Sequence, residues 1–584
     1  MAALATDGWL LVVLVVSAAL PLVLGARGDL PEWLSVTGPF LSLRWSDDPA
    51  AVFDRLARPQ RLWRALWTGG VVLALTAAAL GLLAVVVAAA ATVLEPAVGE
   101  VSAPQSVFLE PGINGFLPLA IVPAVVAALA VALFAHEVGH AAASHADGID
   151  VTAVGATFLG LLPFGAYVEH DRDDLNAGSP LSRARMLAGG VTANFAVTVV
   201  AVALLAGPVV GSIGVASGVP VGGVVEDGPA ADAGIQPGDV IERVDGLRVQ
   251  SRADLDRALD DRDRVVTAQL GDGETAYVQR SLHVAAVNPG APVGFDPNTE
   301  ILAVGGDPVH TVAGFRAAVR EDPTATVTTS NGTFTIPVGV RVSRAARTGA
   351  LTAAGAPPDE PITILAVDGQ RTLDPDALAN VLENHDVGDT VPVRVFVDGD
   401  VQTYDVELRA GVDGNPRIGV FYRPGISGLV LSDFGIETYP AAEYLDAVGL
   451  HSGFGGDSVL DRVASFVLLP LAGVVGIAPS DFPGFTGHVT GFYEVSGPLS
   501  ALGGGVFVLA TVLFWVAWVN LNIGLFNCIP TLPLDGGRLV HAAADSVGSR
   551  WLPERDTLPE TLTLAVTAVV LVSLAVTLAL PLLS

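Results

Sequence analysis

His136-Glu137-Val138-Gly139-His140 closes a run, Phe116 to Ala143, in which nearly every other residue is apolar. Two histidines four apart face the same way on a helix and can share one zinc ion. Glu137, between them, is placed to take a proton from a water at that metal. The pentapeptide pattern alone is of moderate specificity. Its setting adds more: a metal helix embedded in so long an apolar run belongs in a bilayer.

The rest of the chain agrees. Of 584 residues, 51% are hydrophobic and only 15% charged, and the apolar residues come in long blocks. Such blocks read as membrane helices. They run from Trp9 to Leu24, Gly69 to Val93, Phe116 to Ala143, Met186 to Ala206, Leu499 to Phe526 and Leu562 to Leu583. The Trp9 run has Asp7 and no basic residue before it, so it is expected to be an uncleaved helix, not a signal peptide. A shorter run, Val463–Ala478, is expected to be interfacial or re-entrant.

Arginine placement orients the bundle. Arg55, Arg58, Arg61 and Arg64 mark a cytoplasmic loop, and the acidic stretch 95–115 lies outside. The metal helix then enters from outside and carries its histidines toward the cytoplasm. Arg172, Arg183 and Arg185 precede the returning helix.

The formal net charge is −30, and all 30 basic residues are arginine. An acidic, lysine-free surface suits very high salt, where repulsion is screened. A GC-rich genome that exchanges lysine codons for arginine is the plainer account. No basic patch is present to track phosphates, so nucleic acid is not expected as a partner. The single cysteine, Cys528, makes no internal disulfide and has no histidine partner nearby in sequence.

Between Ile213 and Val420 the chain turns polar and acidic, and repeats itself. Pro237-Gly238-Asp239-Val240-Ile241-Glu242-Arg243-Val244-Asp245-Gly246 recurs loosely around Ile301 and Ile364. Each copy reads as a strand, a glycine turn and a short amphipathic helix, at Leu255–Leu259, Val312–Val319 and Ala377–Leu382. The unit resembles the PDZ domain family, most closely in the first copy through Gly222-Gly223-Val224-Val225 and Gly228-Pro229-Ala230-Ala231. That resemblance implies capture of a peptide or substrate C-terminus by edge addition. The plainer account is a spacer over the membrane site. Asn331-Gly332-Thr333 is a glycosylation sequon in this outer region, a pattern common by chance.

A catalytic zinc needs a third protein ligand and one open position. Asp535 is the best candidate, in Asn527-Cys528-Ile529-Pro530-Thr531-Leu532-Pro533-Leu534-Asp535-Gly536-Gly537. A carboxylate directly after an apolar helix, in backbone broken by prolines and glycines, suits a cavity-lining ligand. A turn outside the membrane with Asp535 as a helix cap is the competing account. Glu169 is a rival third ligand, although its loop, Glu169-His170-Asp171-Arg172, reads as solvated. His145 and His170 are either partners of the ligands or solvated loop residues.

His-Glu-x-x-His in one helix and Asn-x-x-Pro-x-x-Pro-Leu-Asp-Gly-Gly in a later one resemble the site-2 protease family of intramembrane zinc metalloproteases. The resemblance implies one zinc per chain on His136, His140 and Asp535, with Glu137 as catalytic base and Asn527 as a polar group on the substrate or oxyanion side. Pro163-Phe164-Gly165-Ala166-Tyr167-Val168 is similar to the family's Gly-Gly-Tyr-Val hairpin. Ala188-Gly189-Gly190 leading to Asn194-Phe195 is similar to its Ala-Gly-Pro segment, with Gly190 in place of proline. Gly497-Pro498, after Ser496, is similar to its Ser-Gly-Pro segment. These matches imply that Gly165, Ala166, Tyr167 and Asn194 meet substrate, which is a transmembrane protein.

The expected architecture is therefore a polytopic α-helical membrane protein with a small membrane-associated β-hairpin and inserted α+β PDZ-like domains. Two N-terminal helices with an Arg-rich cytoplasmic loop span 1–95, and the core begins over 116–210. PDZ-like domains follow at 213–285, 286–342 (degenerate) and 343–420. A linker over 421–498 leads to the second core part, 499–545, and a last helix, 562–583. The expected activity is cleavage of membrane proteins in the lipid bilayer, with the active site toward the cytoplasm and the PDZ-like domains outside. A PDZ membrane scaffold without catalysis is the alternative from another class, and Glu137 speaks against it, since a structural zinc needs no base.

Overall fold

The computed structural model describes residues 16, 19–26, 30–45, 60–94, 118–551 and 557–583, apart from a few short gaps. The predicted Trp9–Leu24 helix falls largely outside these residues, and Arg55, Arg58 and the 95–115 loop fall wholly outside. The chain divides into two compact units.

The first unit comprises 1–214, 443–487 and 495–584. Its long helices are α1 (Gln60–Leu94), α2 (Val122–Ala146), α3 (Pro180–Leu204), α5 (Gly505–Cys528) and α7 (Leu558–Leu583). Among the described residues, these five are long and apolar enough to cross a membrane. Between them lie a short helix α4 (Val459–Leu468) and a helix α6 (Asp535–Trp551). Small residues let α2 and α3 approach closely. A Cβ at Gly139 would stand 2.3 Å from the Gly189 carbonyl oxygen, and one at Gly189 would stand 2.4 Å from that of Gly139. A carboxylate ties α1 to this pair. Asp147, after α2, is paired with Arg64 of α1 and Arg185 of α3, each at 3.0 Å.

The predicted hairpin is part of a larger sheet. Strands β1 (Leu34–Thr37), β2 (Phe40–Trp45), β3 (Val151–Leu159) and β4 (Leu162–His170) pair antiparallel in that order. An N-terminal hairpin has thus closed one side of β3, and β4 is an outer strand. Short polar alternation such as Leu-Ser-Leu-Arg in β2 gives too weak a signal to separate strand from loop.

Val463–Ala478 does not form a span. Ser458 starts α4 through a capping box with Asp461, and a 3-10 turn, Leu469–Leu471, follows. Val459 and Leu460 are exposed, at 78% and 77%. The segment leans on α5 through Phe466 against Phe514, and through Trp518 Nε1–H donating to the Val467 carbonyl at 2.9 Å.

The second unit, 215–442 with 488–494, holds the repeats as three sheets of the same order. Ile241, Ile301 and Ile364 sit at equivalent registers, opposite Val219, Leu282 and Val340, and all six side chains are buried. The second copy is therefore a complete sheet with its own apolar core, and the expectation that it is degenerate fails. The predicted limits fail as well, because each sheet takes its last strand from beyond the repeats. Val420–Tyr422 joins the third sheet, Leu429–Ser432 the second and Ile436–Thr438 the first. The third domain is inserted in the second, and the second in the first.

The seams of these insertions are tight. Where the chain leaves and re-enters the second domain, Ser427 Oγ–H donates to the Pro337 carbonyl at 2.6 Å. At the seam of the first domain, buried Arg280 pairs with buried Asp433 at 2.7 Å, and Asp433 also accepts the Val312 N–H.

Candidate metal centre

His136 and His140 project from one face of α2, as their spacing requires. Asp535, the first residue of α6, meets them after the break between α5 and α6. His136 Nε2 lies 3.0 Å from Asp535 Oδ2, His140 Nε2 lies 3.2 Å from the same oxygen, and the two Nε2 atoms are 3.1 Å apart.

The outer nitrogens settle which atoms point inward. His136 Nδ1 meets the Asn194 side-chain oxygen at 2.7 Å, and His140 Nδ1 meets the Met186 carbonyl at 2.7 Å. Both partners only accept, so both Nδ1 atoms carry hydrogen and both Nε2 lone pairs converge. Two imidazoles and a carboxylate at zinc-ligand bond lengths on tetrahedral corners stand roughly 3.3 Å apart, so the donor set fits a metal ion of that size. Among the described residues, this is the group of histidine and carboxylate side chains suited to hold one.

Gly190 gives the imidazoles room. A Cβ there would stand 2.6 Å from His140 Nε2 and 2.7 Å from His136 Cε1. The departure from proline noted in the sequence is thus a place where a Cβ would press on both imidazoles.

A cavity of about 400 Å³ opens on the donor set. Glu137, Tyr167, Val168, His170, Asn527 and Arg538 line it. Val168 lines the same cavity as Glu137, with its backbone N–H turned toward this carboxylate, so the outer edge of β4 faces it. Asn527 spends one amide N–H on the Ile523 carbonyl and keeps the other. Burial, with His140 nearby, pushes the His170 imidazole down to about 4, which keeps it neutral at pH 7.

Of the residues expected to meet substrate, Tyr167 lines the cavity and covers Gly155 of β3, where a Cβ would stand 2.3 Å from its ring. Gly165 and Ala166 sit farther along β4, outside the cavity lining. Asn194 is fully buried and bonded to His136, Ala132 and Asn520, so its side chain does not reach the cavity. That departs from its expected role: its side chain is turned to His136, not to the cavity. Glu169 is exposed and paired with Arg44 at 2.7 Å, which removes it as a third ligand. The sequence reading missed Met186, whose contribution is a backbone carbonyl without a signature. It also missed Asn520, which did carry one: an amide inside an apolar helix.

An apolar helical bundle with a His-His-Asp donor set and an adjacent glutamate defines the class. The family model for peptidase family M50 matches residues 124–574. The chain belongs to peptidase family M50. A stretch of 35 residues is 57% identical to the putative zinc metalloprotease Rip3 of Mycobacterium tuberculosis, in strains Erdman and H37Rv. It covers 6% of this chain and 9% of each relative. Among solved structures, the PDZ domain of the SdrC-like protein from Listeria monocytogenes aligns at 21% identity and a TM-score of 0.13, over 14% of this chain and 86% of that one.

Proposed function

We propose that this chain is an intramembrane zinc endopeptidase that hydrolyses peptide bonds in or near the transmembrane segments of other membrane proteins. The convergence of His136, His140 and Asp535 beside Glu137 carries this reading. Family membership supports it, and so do five helices long and apolar enough to span a bilayer. A zinc ion on the three ligands would acidify water and polarise a carbonyl.

The chain's own residues account for the rest. Glu137 takes the proton of water as the water oxygen adds to the scissile carbonyl carbon. It then gives that proton to the amine nitrogen as the C–N bond breaks. Asn527 offers its spare N–H to the carbonyl oxygen as charge gathers there. An unwound substrate segment adds to the outer edge of β4, which aligns its backbone with Glu137.

The arginine distribution supports a cytoplasmic site and repeat domains outside the cell. The repeats act as PDZ-like filters that admit substrates by size or by a newly cut C-terminus, a role in regulated intramembrane proteolysis. The acidic, lysine-free composition supports work in high salt.

Zinc content and cleavage of a model transmembrane substrate in high-salt detergent test the reading. Glu137→Gln is expected to keep one zinc per chain and to lose cleavage by at least about a hundredfold. Asp535→Ala is expected to lose both. Zinc and cleavage both retained in Asp535→Ala would sink the assignment.

A further inference from the structure

Asn520 lies in α5 between Val519 and Leu521, fully buried, where a polar side chain costs free energy unless its bonds are made. Its Nδ2 donates to the Val516 carbonyl at 2.8 Å, one turn back. Its Oδ1 accepts from Asn194 Nδ2 of α3 at 2.9 Å. Asn194 Nδ2 also donates to the Ala132 carbonyl of α2 at 3.0 Å, and Asn194 Oδ1 accepts from His136 Nδ1.

The order of donors and acceptors in this chain is forced. Because Asn520 Nδ2 is committed to Val516, the atom it turns toward Asn194 is an acceptor. Asn194 must therefore present Nδ2 to Asn520, which leaves Oδ1 for His136. An acceptor at that position draws the His136 hydrogen to Nδ1 and leaves the Nε2 lone pair free. A flipped Asn194 would offer N–H to Nδ1 and select the opposite tautomer, whose protonated Nε2 cannot bind metal. Such a flip loses the Asn520 bond and also sets Oδ1 against the Ala132 carbonyl.

We propose that Asn520 is a positioning residue that acts through Asn194 to fix the tautomer and orientation of His136 for metal binding. The proposal rests on the zinc reading above. It assigns a task to a residue that touches neither metal nor substrate, and it couples α5, α3 and α2 at the depth of the site. Outer partners of metal ligands are commonly worth about ten- to a hundredfold in metal affinity.

The test compares zinc affinity, by chelator competition on the full-length protein in detergent, for wild type, Asn520→Leu and Asn520→Asp. Asn520→Leu has nearly the same volume and no hydrogen bonds. In Asn520→Asp, a neutral carboxyl group keeps an acceptor for Asn194 and, through its O–H, a donor for Val516. Asn520→Leu is expected to bind zinc about tenfold or more weakly, and Asn520→Asp to recover most of that loss. The ¹⁵N imidazole signals of the metal-free wild type are expected to show His136 protonated on Nδ1, and Asn520→Leu to mix the tautomers.

Equal zinc affinity in wild type and Asn520→Leu overturns the proposal. A wild-type His136 protonated on Nε2 overturns it too, whether or not the variants fold. A wild type that binds no zinc overturns the zinc reading instead, so the two failures are distinguishable.

Discussion

At the scale of the residue, the site depends as much on a missing side chain as on those present. Gly190 of α3 faces His136 and His140, and a methyl group there would overlap both imidazoles. Those rings cannot simply swing away, because each is tied through Nδ1 to a buried or backbone acceptor. Gly190→Ala is therefore expected to weaken zinc binding by about tenfold or more, in the range of lost partner contacts at metal sites. The control is Gly69→Ala in α1, where a Cβ meets nothing within 4 Å. Chelator competition on the two variants is the measurement, and equal affinities would refute the steric account. His136, His140 and Glu137 were legible in the sequence because helical periodicity places them without reference to anything distant. Asp535 needed a second argument, the cost of a carboxylate beside an apolar helix. Asn194 was read as meeting substrate because a motif position says nothing about where a side chain points. Only packing revealed that it is enclosed and turned toward His136.

At the scale of the element, the four-stranded sheet β1–β4 has one open side. β1 and β2 occupy one side of β3, and β4 offers its outer edge next to Glu137. Backbone groups alternate along a strand, so the residues whose N–H and C=O point outward with those of Val168 include Ala166. Ala166→Pro removes one outward N–H while leaving the Tyr167 and Gly165 bonds to β3 in place, as proline on an outer edge allows. Cleavage of a transmembrane substrate is expected to fall by roughly fivefold, the worth of about one hydrogen bond, with zinc content unchanged. Unaltered cleavage would mean that substrate does not pair with this edge. The long apolar helices were legible from composition to within about three residues at their C-terminal ends, while their starts differ by four to nine residues. β1 and β2 were not, since their partner β3 lies beyond two intervening segments and their own pattern is weak. Arg64 and Arg185 were read as markers of the cytoplasmic side. The structure gives them a further task, because both hold Asp147 and thereby fasten α1 to α2.

At the scale of the whole molecule, the repeats form a set of insertions, and this changes how they can be removed. A linear reading of three successive units was natural, because the turn and helix of each copy are local features. The strand that completes each sheet is only three or four residues long and lies after all three copies, where no periodicity marks it. Insertions are best tolerated where their ends are already close. Deleting 338–426 joins Pro337 to Ser427, which are hydrogen-bonded in the intact chain, and is expected to leave the first and second domains folded. Deleting 281–432 joins Arg280 to Asp433, an ion pair in the intact chain, and is expected to leave the first domain folded. Deleting 286–342, the linear second domain, removes every strand of that sheet except most of Leu282–Val287 and the last strand. It leaves apolar Leu429 and Leu431 without their core, so this variant is expected to be cut rapidly near 429–432 in limited proteolysis. The two seam deletions should resist protease as the intact unit does. The same series tests the filter. If the repeats restrict access, the seam deletions should raise cleavage of bulky uncut substrates stepwise while zinc content stays constant. Seam deletions that are themselves degraded would refute the nested architecture. Intact seam deletions with unchanged cleavage would refute the filter alone.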